Sequence, residues 1–356
     1  MKWLGAFERS VIDEGNQILK RLDDLLGQTI YLGLKDPPNR PLRRLTAPFV
    51  GKESDVVGRD GDKEQIIELL LSDDGKNLSV IPIVGLGGVG KTTLAQLVYK
   101  DSRVQQHFDL KLWVTVSEDF DVFRITKIIL EKVTSKNHFG DIVDLQSELS
   151  EALAGQKFLF VLDDVWNENY ELWDGLRSAF KSGARGSKII VTTRSKDVAL
   201  TMSKGVMHEL ELVSDQDCWR IFEKHAFDDS AEATPQLQEI GCRIVERCKG
   251  LPLAVKSLAG LLRSTSNPEE WRKILNSDIW RLQFQKDLKK QVVPAVWLSY
   301  QFLPPYLKRC FAYLSIFPED YLFDQSEMKK VIWLWMAEGL LEAEKGKKAE
   351  EVGEEC

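Results

Sequence analysis

The chain has 356 residues, 43% of them hydrophobic and 29% charged, and a formal net charge of −7. That length suits two or three domains rather than one core, and the acidic balance argues against a broad field for nucleic acid. No apolar run approaches the roughly 20 residues that a membrane-spanning helix needs, and the opening Met1-Lys2-Trp3-Leu4-Gly5-Ala6-Phe7 meets Glu8 and Arg9 too soon for a signal peptide.

In chain order, Val11, Ile12, Ile18, Leu19, Leu22, Leu25 and Leu26 form a helical stripe, with Lys20, Arg21, Asp23 and Asp24 on the other face. The pattern fits a coiled-coil or signalling helix and equally a helix packed on a neighbour. Asp36-Pro37-Pro38-Asn39-Arg40-Pro41, then Arg43, Arg44 and Pro48, reads as an extended linker. Val56-Val57-Gly58-Arg59-Asp60 opens a helix carrying Ile66, Ile67, Leu69, Leu70 and Leu71, which Ser72-Asp73-Asp74-Gly75 ends.

The stretch that organises the chain follows. Val80-Ile81-Pro82-Ile83-Val84 is a strand, Gly85-Leu86-Gly87-Gly88-Val89-Gly90-Lys91-Thr92-Thr93 a glycine turn, and Leu94-Ala95-Gln96-Leu97-Val98-Tyr99 a helix. The spacing is that of the phosphate-binding loop G-x-x-x-x-G-K-[ST]. Glycines let the backbone curl so that successive N–H groups face one phosphate, and the helix opening at Lys91 adds its dipole. Lys91 can reach β- and γ-phosphates, and the Thr92 hydroxyl can hold Mg²⁺. Gly85, Gly87, Gly88, Val89, Gly90, Lys91, Thr92 and Thr93 are the candidate nucleotide-binding residues of this loop.

Strand patterns recur at residues 110–116, 157–164 and 186–194, separated by helices around 123–134 and 144–153. This alternation predicts an α/β fold with a parallel sheet and flanking helices. Strand tips in such sheets face the ligand crevice. Asp163, at the tip of the third strand, is the candidate Mg²⁺-holding acid together with Thr92, and Asp164 can orient or deprotonate a water. Arg194, at the tip of the fourth, can sense a γ-phosphate by charge-assisted hydrogen bonds; a surface pair or a helix cap is the plainer alternative.

From about residue 211 the strand signal fades into helical stripes around Cys218-Trp219, Ile221-Phe222, Ile240, Ile244 and Val245. Gly250 suits a helix C-terminus and Pro252 the first turn of the next helix. Trp271 and Ile274 mark another helix, residues 292–298 a further block, and Pro304-Pro305 a break before 310–317 and 331–337. Aromatic residues at helical spacing predict core packing here, not a cofactor box. Five cysteines without a C-x-x-C pair and four scattered histidines favour free thiols in a reducing compartment over a metal site.

Taken in this order, the motifs resemble the nucleotide-binding adaptor (NB-ARC) domain of plant intracellular immune receptors with leucine-rich repeats, a branch of the STAND P-loop NTPases. They are Val56-Val57-Gly58-Arg59, residues 85–93, 108–116, 157–166, 186–194, 210–227, 250–254, 310–321 and 334–341. Asp163-Asp164-Val165-Trp166 and Thr192-Thr193-Arg194 look like the coiled-coil branch. The resemblance implies a cytoplasmic switch that holds ADP at rest and exchanges it for ATP. It implies that Val57 and Arg59 line the adenine side, that Pro252 packs near base or sugar, and that Arg194 senses the γ-phosphate. It also implies a coiled-coil tail and linker at 1–50, a nucleotide-binding domain at 51–210, a helical bundle at 211–287 and a winged-helix domain at 288–356. Its partners would be a pathogen effector or guarded host protein, and further copies of itself on activation.

Two departures stand out. The family's Met-His-Asp motif is absent, since Met207-His208 precedes the helical bundle, and no leucine-rich repeat occurs. The chain therefore reads as a fragment of such a receptor. Two other functions are open to this sequence. A turnover ATPase of the AAA type would use Asp164 where a longer glutamate is usual. A DNA-binding regulator would use the winged helix, in whose expected recognition region Lys329-Lys330 is the one adjacent basic pair.

Overall fold

A computed structural model of the chain describes residues 56–73, 75–116, 120–227, 234–263, 265–277, 280, 300, 303, 305–317, 321, 323, 325–341 and 349–355. The helical stripe at 11–26, the linker at 36–48 and the block at 292–298 lie outside these residues.

The sheet holds five strands: β1 (Leu78–Val84), β2 (Leu110–Thr115), β3 (Phe158–Asp163), β4 (Ser187–Thr193) and β5 (His208–Glu209). Their order is β2-β3-β4-β1-β5, and every pairing is parallel. Register runs Val80↔Ile189 between β1 and β4 and Val161↔Ile190 between β3 and β4, so the tips of β1, β3 and β4 end level with one another. The strand pattern had predicted four of these. The two-residue β5 pairs only with Ile83 and Val84, too short a stretch to show a period of two.

The sheet is buried on both faces, which is why its strands are continuous apolar runs. On β3 successive residues point to opposite sides. Phe158, Phe160 and Leu162 enter one core with Ile189, Val191 and Trp173, and Leu159 and Val161 enter the other with Ile81, Ile83 and Trp113.

Five of the seven described helices around the sheet start where polar side chains cap them. The seven are α1 (Asp60–Leu71), α2 (Lys91–Lys100), α3 (Ser102–His107), α4 (Val122–Thr134), α5 (Ile142–Leu153), α6 (Tyr170–Phe180) and α7 (Lys196–Met202). Asp101, Asp121, Asp141, Asn169 and Ser195 accept from first-turn N–H groups of α3, α4, α5, α6 and α7.

A second group follows: α8 (Asp215–Ala226), α9 (Pro235–Arg247), α10 (Pro252–Leu262) and α11 (Pro268–Leu275). Three of them open on proline, whose missing N–H costs nothing in a first turn. Trp271 is buried between Phe222 and Phe227, both at 5.6 Å between ring centres. These helices share one core with the α1–α2 face of the sheet.

The last described elements are α12 (Pro305–Tyr313), a 3₁₀ turn at Leu314–Ile316, α13 (Gln325–Ala337) and α14 (Ala349–Glu355). They pack around Cys310, Val331, Ile332 and Trp335. Core packing thus accounts for Trp271 and Trp335, while Trp333 is 56% exposed and hydrogen-bonds Glu350.

Candidate functional site

The loop at 85–93 sits between the C-terminal end of β1 and the first turn of α2. Gly90 precedes that turn in the left-handed region, at φ 105°. Gly88, at φ 77°, has a closer constraint. A Cβ there would lie 2.7 Å from that of Leu253, and the Leu253 N–H donates to Gly88 O at 3.2 Å. One peptide of the phosphate loop therefore touches the first turn of α10 directly. Pro252 supplies the N-terminal proline of that turn, as its capping pattern predicted. Gly250 turns the chain into it at φ 73°, and Gly250 O accepts from Val213 N at 2.9 Å.

Lys91 is only 6% exposed, and its ammonium donates to Gly85 O and Leu86 O, both at 3.0 Å. Burial pushes its pKa down to about 8, the Arg194 charge adds to this, and Asp164 and Asp163 oppose it. The amine is curled over the loop's own backbone, where an anionic group would draw it outward.

Asp163 is 3% exposed, and its Oδ1 accepts from Thr92 Oγ1 at 2.9 Å and Thr192 Oγ1 at 2.5 Å. Burial raises its pKa above the ordinary aspartate range, against these two hydrogen bonds, which favour the charged form. A carboxylate and a hydroxyl side by side are the hard oxygen donors that suit Mg²⁺. Asp164 stands in the left-handed region at φ 57° and donates its N–H to Thr192 Oγ1 at 2.8 Å. Its carboxylate lies 3.7 Å from the Arg194 guanidinium.

Arg59 is 6% exposed. Its Nη2 donates to Val89 O at 2.8 Å and to Glu211 O at 2.9 Å, and Nη1 pairs with Asp62 at 3.1 Å. Asp62 also accepts a 2.9 Å contact from His208 Nε2. The guanidinium is thus engaged with the backbone of the phosphate loop. Sequence reading gave Asp62 no role and named His208 only as lying outside a Met-His-Asp motif; the fold brings His208 onto Asp62 from 146 positions away. Val57, two residues before Arg59 in the chain, is half-buried. Of the predicted residues, the loop, Asp163, Asp164 and Arg194 converge at the level strand tips, Arg59 reaches the loop through Val89 O, and Pro252 only precedes Leu253, whose N–H meets Gly88 O.

A separate cavity of about 990 Å³ lies along α1, β5 and the start of α8, lined by Arg59, Asp62, Glu68, His208, Glu211 and Asp217 among others. It flanks the back of Arg59.

A parallel sheet whose first strand breaks into a lysine-bearing glycine loop, facing a buried acid two strands away, defines a P-loop nucleotide-binding domain. Residues 59–232 match the NB-ARC domain, and residues 316–356 match the disease resistance protein winged helix domain. The chain belongs to the NB-ARC family of plant disease-resistance proteins, with a nucleotide-binding α/β domain, a helical bundle and a winged-helix domain. It is 46% identical over 343 residues to the disease resistance RPP13-like protein 1 of Arabidopsis thaliana, covering 94% of this chain and 32% of that protein. It is 39% identical over 364 residues to disease resistance protein RGA2 of Solanum bulbocastanum, covering 99% of this chain and 37% of that protein. The chain spans about a third of the length of these curated relatives. Among solved structures, it is similar to a signal transduction ATPase with numerous domains and a tetratricopeptide repeat sensor from Pyrococcus horikoshii. That likeness has a TM-score of 0.46 and 17% identity, over 88% of this chain and 44% of the other. No described helix is long and apolar enough to cross a membrane.

Proposed function

We propose that this chain is the ADP/ATP-binding switch region of a plant intracellular immune receptor that acts in defence against pathogens. The carrying observation is the contact of Leu253 N with Gly88 O, which ties the phosphate loop to the helical bundle. A change at the phosphates is thereby felt at α10.

In this reading residues 51–210 bind nucleotide, 211–287 form the bundle and 288–356 the winged-helix domain. The N–H groups of Gly87, Gly88, Gly90 and Thr93 cradle phosphate, Gly85 and Val89 hold the loop's shape through their bonds to Thr193 O and Leu86 O, and Lys91 neutralises the phosphate. Thr92 and Asp163 would hold Mg²⁺, which would supply charge neutralisation for the phosphates. Asp164 orients water for slow hydrolysis, Arg194 reads the γ-phosphate, and Val57, Arg59 and Pro252 frame the nucleoside side. The setting is cytoplasmic, and the partners are an effector or guarded host protein and further copies of the receptor.

A switch differs from a turnover ATPase in what it retains. The purified chain is expected to carry ADP, identified by chromatography after denaturation. Phosphate release should run well below about one per second, the low end of ordinary enzyme turnover. Protein that purifies free of nucleotide and turns over ATP faster than that would be an AAA-type enzyme instead.

The DNA-binding alternative has less support. In the described part of the winged helix, Lys330 pairs with Glu327 at 2.7 Å.

A further inference from the structure

Arg194 stands one residue beyond β4 and is poorly tied. Its Nε is buried and has no hydrogen-bond partner among the described residues. The carboxylate of Asp164, at 3.7 Å, is beyond hydrogen-bonding reach. What holds the guanidinium is a ring, since its Cζ lies 4.8 Å from the centre of the Trp166 indole.

The backbone is shaped to bring that indole there. β3 ends at Asp163, and Asp164 takes up the left-handed conformation, φ 57°, which costs free energy in a residue with a side chain. Thr192 holds the turn from both ends: its hydroxyl accepts from Asp164 N at 2.8 Å and its carbonyl from Val165 N at 2.9 Å. With β3 and β4 adjacent and Leu162 paired to Val191, the turn carries the chain over the tip of β4 and sets Trp166 beside Arg194. The phosphate loop bounds the arginine too, as a Cβ at Gly87 would lie 3.1 Å from Arg194 Nη1.

We propose that Trp166 is a positioning residue that orients Arg194 toward a third phosphate group, so that preference for nucleoside triphosphate over diphosphate depends on the stacked pair. Stacking uses the face of the guanidinium, whereas its hydrogen bonds lie in the plane. A ring therefore fixes the arginine without consuming the donors that a phosphate needs, which a salt bridge would do. The fixed side chain also loses less rotamer freedom when a phosphate arrives. The inference rests on the reading of Arg194 as the γ-phosphate sensor.

The test is binding of ADP and of a non-hydrolysable ATP analogue, each with Mg²⁺, to the whole chain and to Trp166→Phe, Trp166→Leu, Arg194→Ala and the double variant Trp166→Leu/Arg194→Ala. Leucine keeps apolar bulk and removes the ring face; phenylalanine keeps a weaker ring. Trp166→Leu is expected to lower the triphosphate preference about 3- to 10-fold, the scale of a partly desolvated cation–π contact. ADP affinity should be unchanged, Trp166→Phe should fall in between, and Trp166→Leu should add nothing once Arg194 is alanine. If Arg194→Ala lowers the preference and Trp166→Leu does not, the positioning role is overturned while the sensor reading survives. An effect of Trp166→Leu that persists without Arg194, or that weakens both nucleotides alike, also overturns it. If Arg194→Ala leaves the preference intact, the sensor reading itself fails.

Discussion

Thr92 Oγ1 donates to Asp163 Oδ1 at 2.9 Å, and this contact joins the first turn of α2 to the tip of β3. The two strands behind it, β1 and β3, are separated in the sheet by β4, whose Thr192 donates to the same oxygen at 2.5 Å. Asp163→Asn keeps the shape and removes the charge. Wild-type protein is expected to bind nucleotide more tightly with Mg²⁺ than with a chelator. The variant should lose that difference, and with it about tenfold or more in affinity, the scale on which metal-supporting groups act. Titration of a fluorescent nucleotide in both buffers measures this, and an undiminished Mg²⁺ effect in the variant would remove Asp163 from the metal site.

Lys91 gives the pH dependence. Its pKa in the folded chain is about 8, below the ordinary value of 10.5, with burial as the main cause. Below pH 8 the amine is charged in both folded and unfolded chain, and the folded state carries the full cost of burying it. Between about pH 8 and 10.5 the unfolded chain binds more protons, so stability of the nucleotide-free protein rises with pH, by no more than about 3 kcal/mol. Lys91→Ala should lack this rise, as urea unfolding at several pH values will show. Nucleotide binding runs the other way, because phosphate needs the charged amine. Affinity should fall above pH 8 with proton uptake on binding, measurable by calorimetry in buffers of different ionisation enthalpy. At neutral pH Lys91→Ala should purify without nucleotide; equal ADP content in both proteins would refute its role.

The phosphate loop was legible because its chemistry constrains residue type and spacing together, and the strand tips because a sheet buried on both faces leaves apolar runs that end abruptly in polar residues. Residues 80–84, 110–116 and 157–164 anticipate β1, β2 and β3 to within a residue or two at most ends. Capping logic placed Gly250 correctly just past the end of α9, where it takes up the left-handed conformation, and Pro252 in the first turn of α10. It could not show that the next residue, Leu253, touches Gly88, because that contact depends on how the bundle folds back. The contact of His208 with Asp62 was invisible for the same reason, and the short α3 and α7 gave too few turns for a helical period.

Gly250 and Gly260 make a matched pair in and beside α10. Gly250 has φ 73°, and a Cβ there would lie 2.6 Å from Val213 O, a backbone atom that cannot swing away. Gly250→Ala should cost about 1–3 kcal/mol and loosen the seam between the bundle and residues 210–213. Gly260 is exposed inside the helix, and a Cβ there meets nothing within 4 Å. Gly260→Ala should stabilise by about 0.5–1 kcal/mol, since alanine restricts the unfolded chain and favours helix. Opposite shifts in urea midpoint are expected; similar shifts would show that φ and contact distance do not govern this segment.

Arg59 is the last and most demanding case, because its side chain works through backbone. Two carbonyls, Val89 O and Glu211 O, share its Nη2, and Asp62 holds its Nη1 while also meeting His208. Arg59→Ala leaves both carbonyls short of a buried donor and Asp62 without its cation, at a cost of about 2–4 kcal/mol. Arg59→Lys keeps the charge but has one compact ammonium where a planar fork spans several acceptors, so it should recover less than half of that. The loss reaches the phosphates by a specific route: Val89 O belongs to the loop, and freeing it lets the peptide turn, so that neighbouring N–H groups no longer face one point. Unfolding by urea and nucleotide content after purification should therefore fall together in Arg59→Ala, and in the same order across Arg59→Lys and Asp62→Asn. Stability that drops while bound nucleotide stays at the wild-type level would mean that the loop keeps its shape without this guanidinium.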